Sequence, residues 1–319
     1  MACIATVRGL EVDSHVPVLL EQVLRGLAVR ADGFYVDATF GRGGHSRAIL
    51  GQLGAGGRLM ALDRDPDAVA EGRRLEAADG RFSIEQERFG QLRRIVESQG
   101  VKGAVDGIVF DLGVSSPQLD SAQRGFSFQS DGPLDMRMDP AASPSAAEWL
   151  NSAPEREIAQ VLRRFGDEPD AGRIARAIGA RRARRPLATT GDLVAVVGET
   201  VHRPPTGRHP ATRVFQAIRI FINRELDELD AGLAQALEVL KIGGRLCVIS
   251  FHSLEDRIAK RFMRDRSRID PALASLPVVP ASAQPTMRLV GGAAHAGETE
   301  VAANARARSA VLRVAEKIA

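Results

Sequence analysis

Two features early in the chain hold residue types that could do chemistry. Gly41-Arg42-Gly43-Gly44 follows the apolar run Phe34-Tyr35-Val36-Asp37-Ala38-Thr39, and His45-Ser46 comes next. Glycines at a strand-to-helix turn let the backbone approach a ligand, and the free N–H groups of a helix start attract an anion. Asp63 ends a second apolar run, Arg58 to Leu62, twenty positions after Gly43. A carboxylate there can accept from both hydroxyls of a ribose. Together they describe a site for an adenosine-containing cofactor; the plainer alternative is a tight turn and a solvated aspartate. The dinucleotide fingerprint G-x-G-x-x-G is not met, because His45, Ser46 and Arg47 follow Gly44.

A third feature is Asp111-Leu112-Gly113-Val114-Ser115-Ser116-Pro117-Gln118, at the end of the apolar run from Gly107. A strand-end acid followed by Ser-Pro is similar to the catalytic loop of amino-group methyltransferases, (Asp/Asn/Ser)-Pro-Pro-aromatic. The chemistry explains the residue types. An exocyclic amine has its lone pair delocalised into the base, and a rigid Pro turn can hold that amine and aim it at a methyl group. Gln118 and Leu119 stand where the pattern has Pro and an aromatic, so base stacking falls to another ring, Phe126 or Phe128.

These residues need a frame. Strands are expected at 34–39, 58–63, 82–85 and 107–111, with helices at 16–27, from His45-Ser46 to about Leu53, at 66–78 and at 90–98. Asp65-Pro66 is a good N-cap and N1 pair. Strands alternating with helices mean a parallel α/β sheet covered on both faces. After Asp111 the rhythm breaks. Residues 112–143 read as a long ordered loop, and 144–200 as helices at 146–150, 155–165, 171–183 and 190–201. A single long helix is expected from Val214 to Leu240, capped by Gly243-Gly244, and then a strand from Arg245 to Phe251. Residues 271–303 read as a loose loop, and 309–314 as a returning edge strand. The division is therefore a sheet domain of 1–119 and 213–319, with an all-helical insertion at 120–212.

Composition narrows the function classes. The 319 residues are 44% hydrophobic and 26% charged, enough to bury a core. Cys3 and Cys247 cannot make a disulfide framework, which fits a reduced, cytoplasmic setting. Neither a signal peptide nor a membrane span is expected, because the longest uncharged run, 271–287, is broken by four prolines. All but four of the 43 basic residues are arginine. Six lie between Ala171 and Gly191 (at 173, 176, 181, 182, 184 and 185) without one acid. That run reads either as an RNA-backbone face or as a solvated surface.

The whole set of motifs resembles one family. His15-Val16-Pro17-Val18-Leu19-Leu20, Asp37 to Ser46, Asp63-Arg64-Asp65, Asp111 to Asp120, Arg124 to Phe128, Asp131 to Met138 and Ser250-Phe251-His252-Ser253-Leu254-Glu255-Asp256-Arg257 closely resemble the RsmH, or MraW, family. These are the bacterial S-adenosylmethionine-dependent cytosine N4-methyltransferases of small-subunit ribosomal RNA. The closing Asn304-Ala305-Arg306-Ala307-Arg308-Ser309-Ala310 resembles the family's Asn-Pro-Arg-Ala-Arg-Ser-Ala, with Ala305 in place of Pro.

The resemblance implies a class I, Rossmann-like methyltransferase sheet, mostly parallel with an antiparallel edge strand, plus the helical insertion. It implies S-adenosylmethionine as cofactor, with contacts at Gly43, Gly44, His45, Asp63, Phe89, Asp111 and Gln118, and no metal. The implied partner is 16S rRNA within the small subunit, and the target is cytosine 1402 of the decoding centre. Asp111, Ser116 and Pro117 are the expected catalytic residues. Some alternatives stay open. His45 is a helix cap or a ligand contact, Phe89 lines an adenine pocket or packs in the core, and His252 faces the pocket or bonds to backbone. A homodimer is also left open. A dehydrogenase using NAD and a cofactor-sensing assembly factor are the rival functions.

Overall fold

The computed structural model describes residues 17–101, 103–142, 144–201, 209–269, 272, 273, 278, 280 and 283–319. His15-Val16 of the first motif and Cys3 lie outside them. The chain opens with α1 (Leu20–Leu27), β1 (Phe34–Asp37), α2 (Gly44–Leu50), β2 (Arg58–Asp63), α3 (Pro66–Ala78) and β3 (Phe82–Gln86). Then come α4 (Leu92–Ser98), β4 (Val105–Asp111) and α5 (Ser116–Asp120). The helical part holds α6 (Ala146–Ser152), α7 (Glu155–Gly166), α8 (Ala171–Arg184), α9 (Thr190–Thr200) and α10 (Ala211–Asn223). The chain closes with α11 (Glu225–Val239), β5 (Leu240–Ser250), α12 (Ser253–Arg266), β6 (Met287–Leu289), β7 (Ala294–His295), α13 (Glu298–Ala303) and β8 (Val311–Lys317).

The sheet order is β3-β2-β1-β4-β5-β8-β6, and β7 also pairs with β8. The first five strands are parallel and β8 runs antiparallel to β5. This is the Rossmann-like, mostly parallel layout expected from the sequence. Strands buried on both faces need continuous apolar runs, and β2 and β4 have them: Leu59, Met60, Ala61 and Leu62, then Ile108, Val109 and Phe110, are all within the core. One cluster around Phe110, Leu233 and Met263 fills one face, and another around Tyr35, Ile49 and Ile249 fills the other. A third cluster, from Phe126 through Trp149 and Ile178 to Ile218, belongs to the helices between β4 and α11.

Several expectations are corrected. The long helix is two. Its apolar spacing continues unbroken, but Arg224 adopts φ 52°, and Asn223 bonds the 136–138 segment through its side chain. Residue 212 falls inside α10, whose Val214, Phe215 and Ile218 join the helical cluster. The chain therefore passes back to the sheet at Arg224. Gly243-Gly244 lies within β5 rather than capping a helix. β8 is not the edge strand, since β6 pairs with its free side. The described part of 271–303 is not loose throughout: it contains β6, β7 and α13. The 112–143 loop begins with α5, so Ser116 and Pro117 sit in a helical first turn. α2 starts at Gly44 and ends at Leu50, short of the expected Leu53.

Candidate active site

The C-terminal ends of β1, β2 and β4 place Asp37, Asp63 and Asp111 beside one another, as parallel strands must. At β1 the chain turns through Gly41 (φ 54°) and Gly43 (φ 72°), and Gly43 caps α2. Only glycine suits Gly43: a Cβ there would lie 2.5 Å from the Phe40 ring. Asp63 holds this turn. Its Oδ2 accepts from the Gly41 N–H at 2.8 Å and its Oδ1 from the Asp65 N–H at 2.9 Å. Burial pushes its carboxyl above the usual range. Asp37 is a scaffold residue. Ser46 Oγ donates to it at 2.7 Å, and burial raises it to about 6. The Asp111 N–H donates to Thr39 Oγ1 at 2.7 Å, tying the end of β4 to the β1 turn.

Asp111 is the unusual acid. Its Oδ1 is shielded from solvent and has no hydrogen-bond partner. Burial first, then the charges of Asp37 and Glu255, push its carboxyl up to about 8. Its Oδ2 lies 3.5 Å from His45 Nδ1. His45 is itself buried and held down to about 4, so it is neutral. Its Nε2 sits 3.1 Å from the Val18 carbonyl, which only accepts, so the proton is on Nε2 and Nδ1 turns a lone pair toward Asp111. A protonated Asp111 can donate to that lone pair. Once ionised, it needs a cation.

The Ser-Pro turn is locked by its neighbours. The Ser115 N–H donates to Gln118 Oε1 at 2.9 Å, and Gln118 Nε2 donates to Asp65 Oδ2 at 2.6 Å. Gln118 thus joins the start of α5 to the cap of α3. Arg124 donates to Asp65 Oδ2 at 2.8 Å and Asp67 Oδ2 at 2.9 Å, and to the carbonyls of Arg137 and Met138. Arg306 donates to the Ser116 hydroxyl.

All of this surrounds one cavity of about 1660 Å³. Gly44, His45, Asp63, Phe89, Asp111, Ser116 and Gln118 line it, whereas Gly43 and Pro117 do not. Those two shape the turns from behind. Phe89 does both things the sequence left open: it lines the cavity and meets Phe110 edge-on at 5.4 Å. His252 also does both. It caps α12 through the Glu255 N–H and lines the cavity. Phe126, Phe128 and Phe215 form an aromatic wall, with Phe128 stacked on His209 at 4.7 Å. Glu225, His252 and Glu255 gather nearby, and Arg219 pairs with Glu225 through two bonds of 2.9 Å.

Residue-type reasoning missed Arg64, Arg219 and Arg306. Arg64 donates to the Asn223 carbonyl at 2.7 Å. Arg64 and Arg306 bridge segments far apart in sequence, so spacing carries no signal and only the quoted motifs marked them; Arg219 meets Glu225 six residues on, across the helix break at Arg224. The sixfold arginine run also divides. Arg181 pairs with Asp192 at 2.8 Å, and Arg182 donates to the carbonyls of Leu150 and Ala153. Those two are bracing residues, while Arg176, Arg184 and Arg185 are exposed.

A model of the MraW methylase family matches residues 13–318. The chain belongs to the MraW methylase family. It is 54% identical over 307 residues to "Ribosomal RNA small subunit methyltransferase H" of Thiobacillus denitrificans, covering 96% of this chain and 98% of that one. It is 55% identical over 308 residues to the protein of the same name from Xanthomonas oryzae pv. oryzae, covering 96% and 89%. Among solved structures, an rRNA methylase from Streptococcus thermophilus overlays with a TM-score of 0.42 at 10% identity, covering 96% and 100%. That overlay adds nothing to the sequence match. Among the described residues no helix is long and apolar enough to cross a membrane.

Proposed function

We propose that the protein transfers a methyl group from S-adenosylmethionine to N4 of cytosine 1402 in the decoding centre of 16S rRNA, acting in the bacterial cytoplasm. One observation carries the reading: a single cavity holds Asp63, braced by two backbone N–H groups, and Asp111, with an oxygen that has no partner. The residues suit this cofactor. Asp63 keeps lone pairs for two ribose hydroxyls, and Phe89 offers an apolar face for adenine. The charges of Asp37 and Glu255 both bear on Asp111, so a cationic ligand beside it is favoured. The cavity exceeds the ~300–1,000 Å³ of ordinary small-molecule sites, leaving room for an extruded nucleotide as well. The named rRNA relatives agree in substrate class.

When bound, the cofactor supplies an activated methyl on a sulfonium, so no strong base is needed. The protein's share is alignment, which is worth up to about 7–11 kcal/mol in well-oriented reactions. Asp111 accepts a hydrogen from the amine and stabilises positive charge as the N–C bond forms. The aromatic wall holds the base once it has left its stack. Residues 120–212, extended by α10, form the RNA-recognition part. The test is transfer of labelled methyl to unmodified small subunits and to free rRNA, with the product nucleoside mapped by mass spectrometry. Label on another base or another atom would overturn the assignment, and calorimetric preference for NAD would overturn the cofactor.

A further inference from the structure

The C-terminal wall of the cavity is rigid. Ala307 and Ala310 are fully buried. Glu300 Oε1 accepts from the Leu19 N–H at 2.6 Å. Asn304 Oδ1 caps the turn Ala305–Ser309 through the Arg306 N–H at 3.1 Å. From this anchored turn Arg306 reaches across to α5, donating to the Ser116 hydroxyl, and its other Nη lies 3.4 Å from Asp120 Oδ1. Ser116 is equally fixed, as the first residue of a helix braced by Gln118 and Asp65. Both residues line the cavity.

A guanidinium only donates, and it does not lose its proton. It occupies a lone pair on Ser116 Oγ, so the serine's own hydrogen must turn to another acceptor. The adjacent positive charge also makes the hydroxyl a stronger donor and a poorer acceptor. We propose that Arg306 is a positioning residue that fixes the Ser116 hydroxyl as a hydrogen-bond donor to ring nitrogen N3 of the target cytosine. This rests on the methyl-transfer reading above. Cytosine carries an acceptor at N3, one bond from the carbon bearing the amine, where uracil carries an N–H. A fixed donor therefore reads the base, since two donors face to face leave a buried polar group unpaired. The bond orients the ring and does not activate the amine, because it draws electron density away from it. Asp111 Oδ1 remains free to face the amine itself.

The test has a binding arm and a rate arm. Cytidine and 3-deazacytidine, in which N3 is replaced by C–H, are titrated into protein saturated with S-adenosylhomocysteine. The parent should prefer cytidine by about tenfold, the worth of one good hydrogen bond. Ser116→Ala, Arg306→Gln and the double variant should all lose that preference equally, and Arg306→Lys should recover part of it. In single-turnover methylation of unmodified subunits, Arg306→Gln should slow transfer by about 100-fold, the scale of a misplaced reacting group. S-adenosylmethionine affinity and the salt slope of RNA binding should not change. A parent without the N3 preference, an Arg306→Gln variant that keeps it, or additive losses in the double variant would overturn the proposal. A fall in salt slope would instead make Arg306 a phosphate contact. A parent that prefers cytidine but methylates no cytosine would sink the functional reading and leave the Arg306 assignment standing.

Discussion

The two ends of the cavity are built differently. The cofactor end comes from residues 37–111, at the tips of three adjacent strands. Several donors share each acid there, most of them backbone N–H groups: Gly41 and Asp65 on Asp63, and Thr39 with Ser46 Oγ on Asp37. The base end draws on Ser116, Phe128, Phe215 and Arg306, which lie far apart in the chain. Side chains hold it, through Gln118 on Asp65, Arg306 on Ser116 and the aromatic stack on Phe128. Contacts shared among several donors lose only a part when one donor is removed, whereas each tether at the base end is a single side chain that one substitution removes. Damage at the first end should therefore appear in affinity, and damage at the second in rate.

Asp111 stands between the two ends and should show the largest effect. Asp111→Asn is expected to lower single-turnover methylation by about 100- to 1,000-fold, the cost of removing one preorganised group at developing charge. Cofactor affinity should fall too, because the same carboxylate faces the cation. A variant that loses only affinity would place Asp111 wholly at the cofactor end. Next comes Asp63→Ala, expected to weaken S-adenosylmethionine binding by about 1–3 kcal/mol, since two ribose hydroxyls lose a charged acceptor. Its rate at saturating cofactor should stay close to the parent's. Unchanged affinity in calorimetry would remove Asp63 from the ribose.

The pH dependence sharpens the same division. In the folded protein without ligand, Asp111 keeps its proton up to about 8, against 3.8 for an ordinary aspartate. The unfolded chain loses that proton first, so between these values the folded state binds more protons and stability falls as pH rises. A cationic cofactor prefers the ionised carboxylate and lowers its pKa. Binding should then release a proton below about pH 8, and affinity should climb with pH and level off above 8. Calorimetry in buffers of different ionisation enthalpy reads the released proton. Asp111→Asn should abolish it, and a release that survives would assign the proton to another group.

The same division governs what was legible in the sequence. Asp63 and Asp111 could be found because a strand end, a glycine turn and an acid follow one another within a few residues. The parallel sheet was legible for a related reason, since a buried strand needs a continuous apolar run. The break at Arg224 was not. The apolar spacing runs straight through it, and the turn is fixed by Asn223 bonding a segment more than eighty residues away. The roles of Gln118 and Arg306 were hidden likewise. Each acts on a partner that only the folded chain brings near, so family resemblance could mark the residues without saying what they hold. β6 escaped notice because three residues carry too little periodicity to read.

The arginine run on α8 should give the smallest effect, and it separates bracing from binding within one helix. Arg181 reaches Asp192, and Arg182 closes the end of α6 by donating to Leu150 and Ala153. These bonds hold the helical part together. Arg176, Arg184 and Arg185 point to solvent and have nothing comparable to lose. Arg182→Ser is therefore expected to cost about 1 kcal/mol of stability through its lost hydrogen bonds, with little change in RNA affinity once the protein is folded. The triple change of Arg176, Arg184 and Arg185 to serine should do the reverse. It should leave the melting temperature unchanged and flatten the log–log salt dependence of RNA binding by at most about 0.7–0.9 per phosphate contact removed. Cofactor binding should be untouched by either, because Asp63 and Phe89 take none of their support from α8. An unchanged salt slope in the triple variant would mean that the exposed arginines are only a solvated face, and the RNA backbone would then have to be held by basic residues at the cavity mouth.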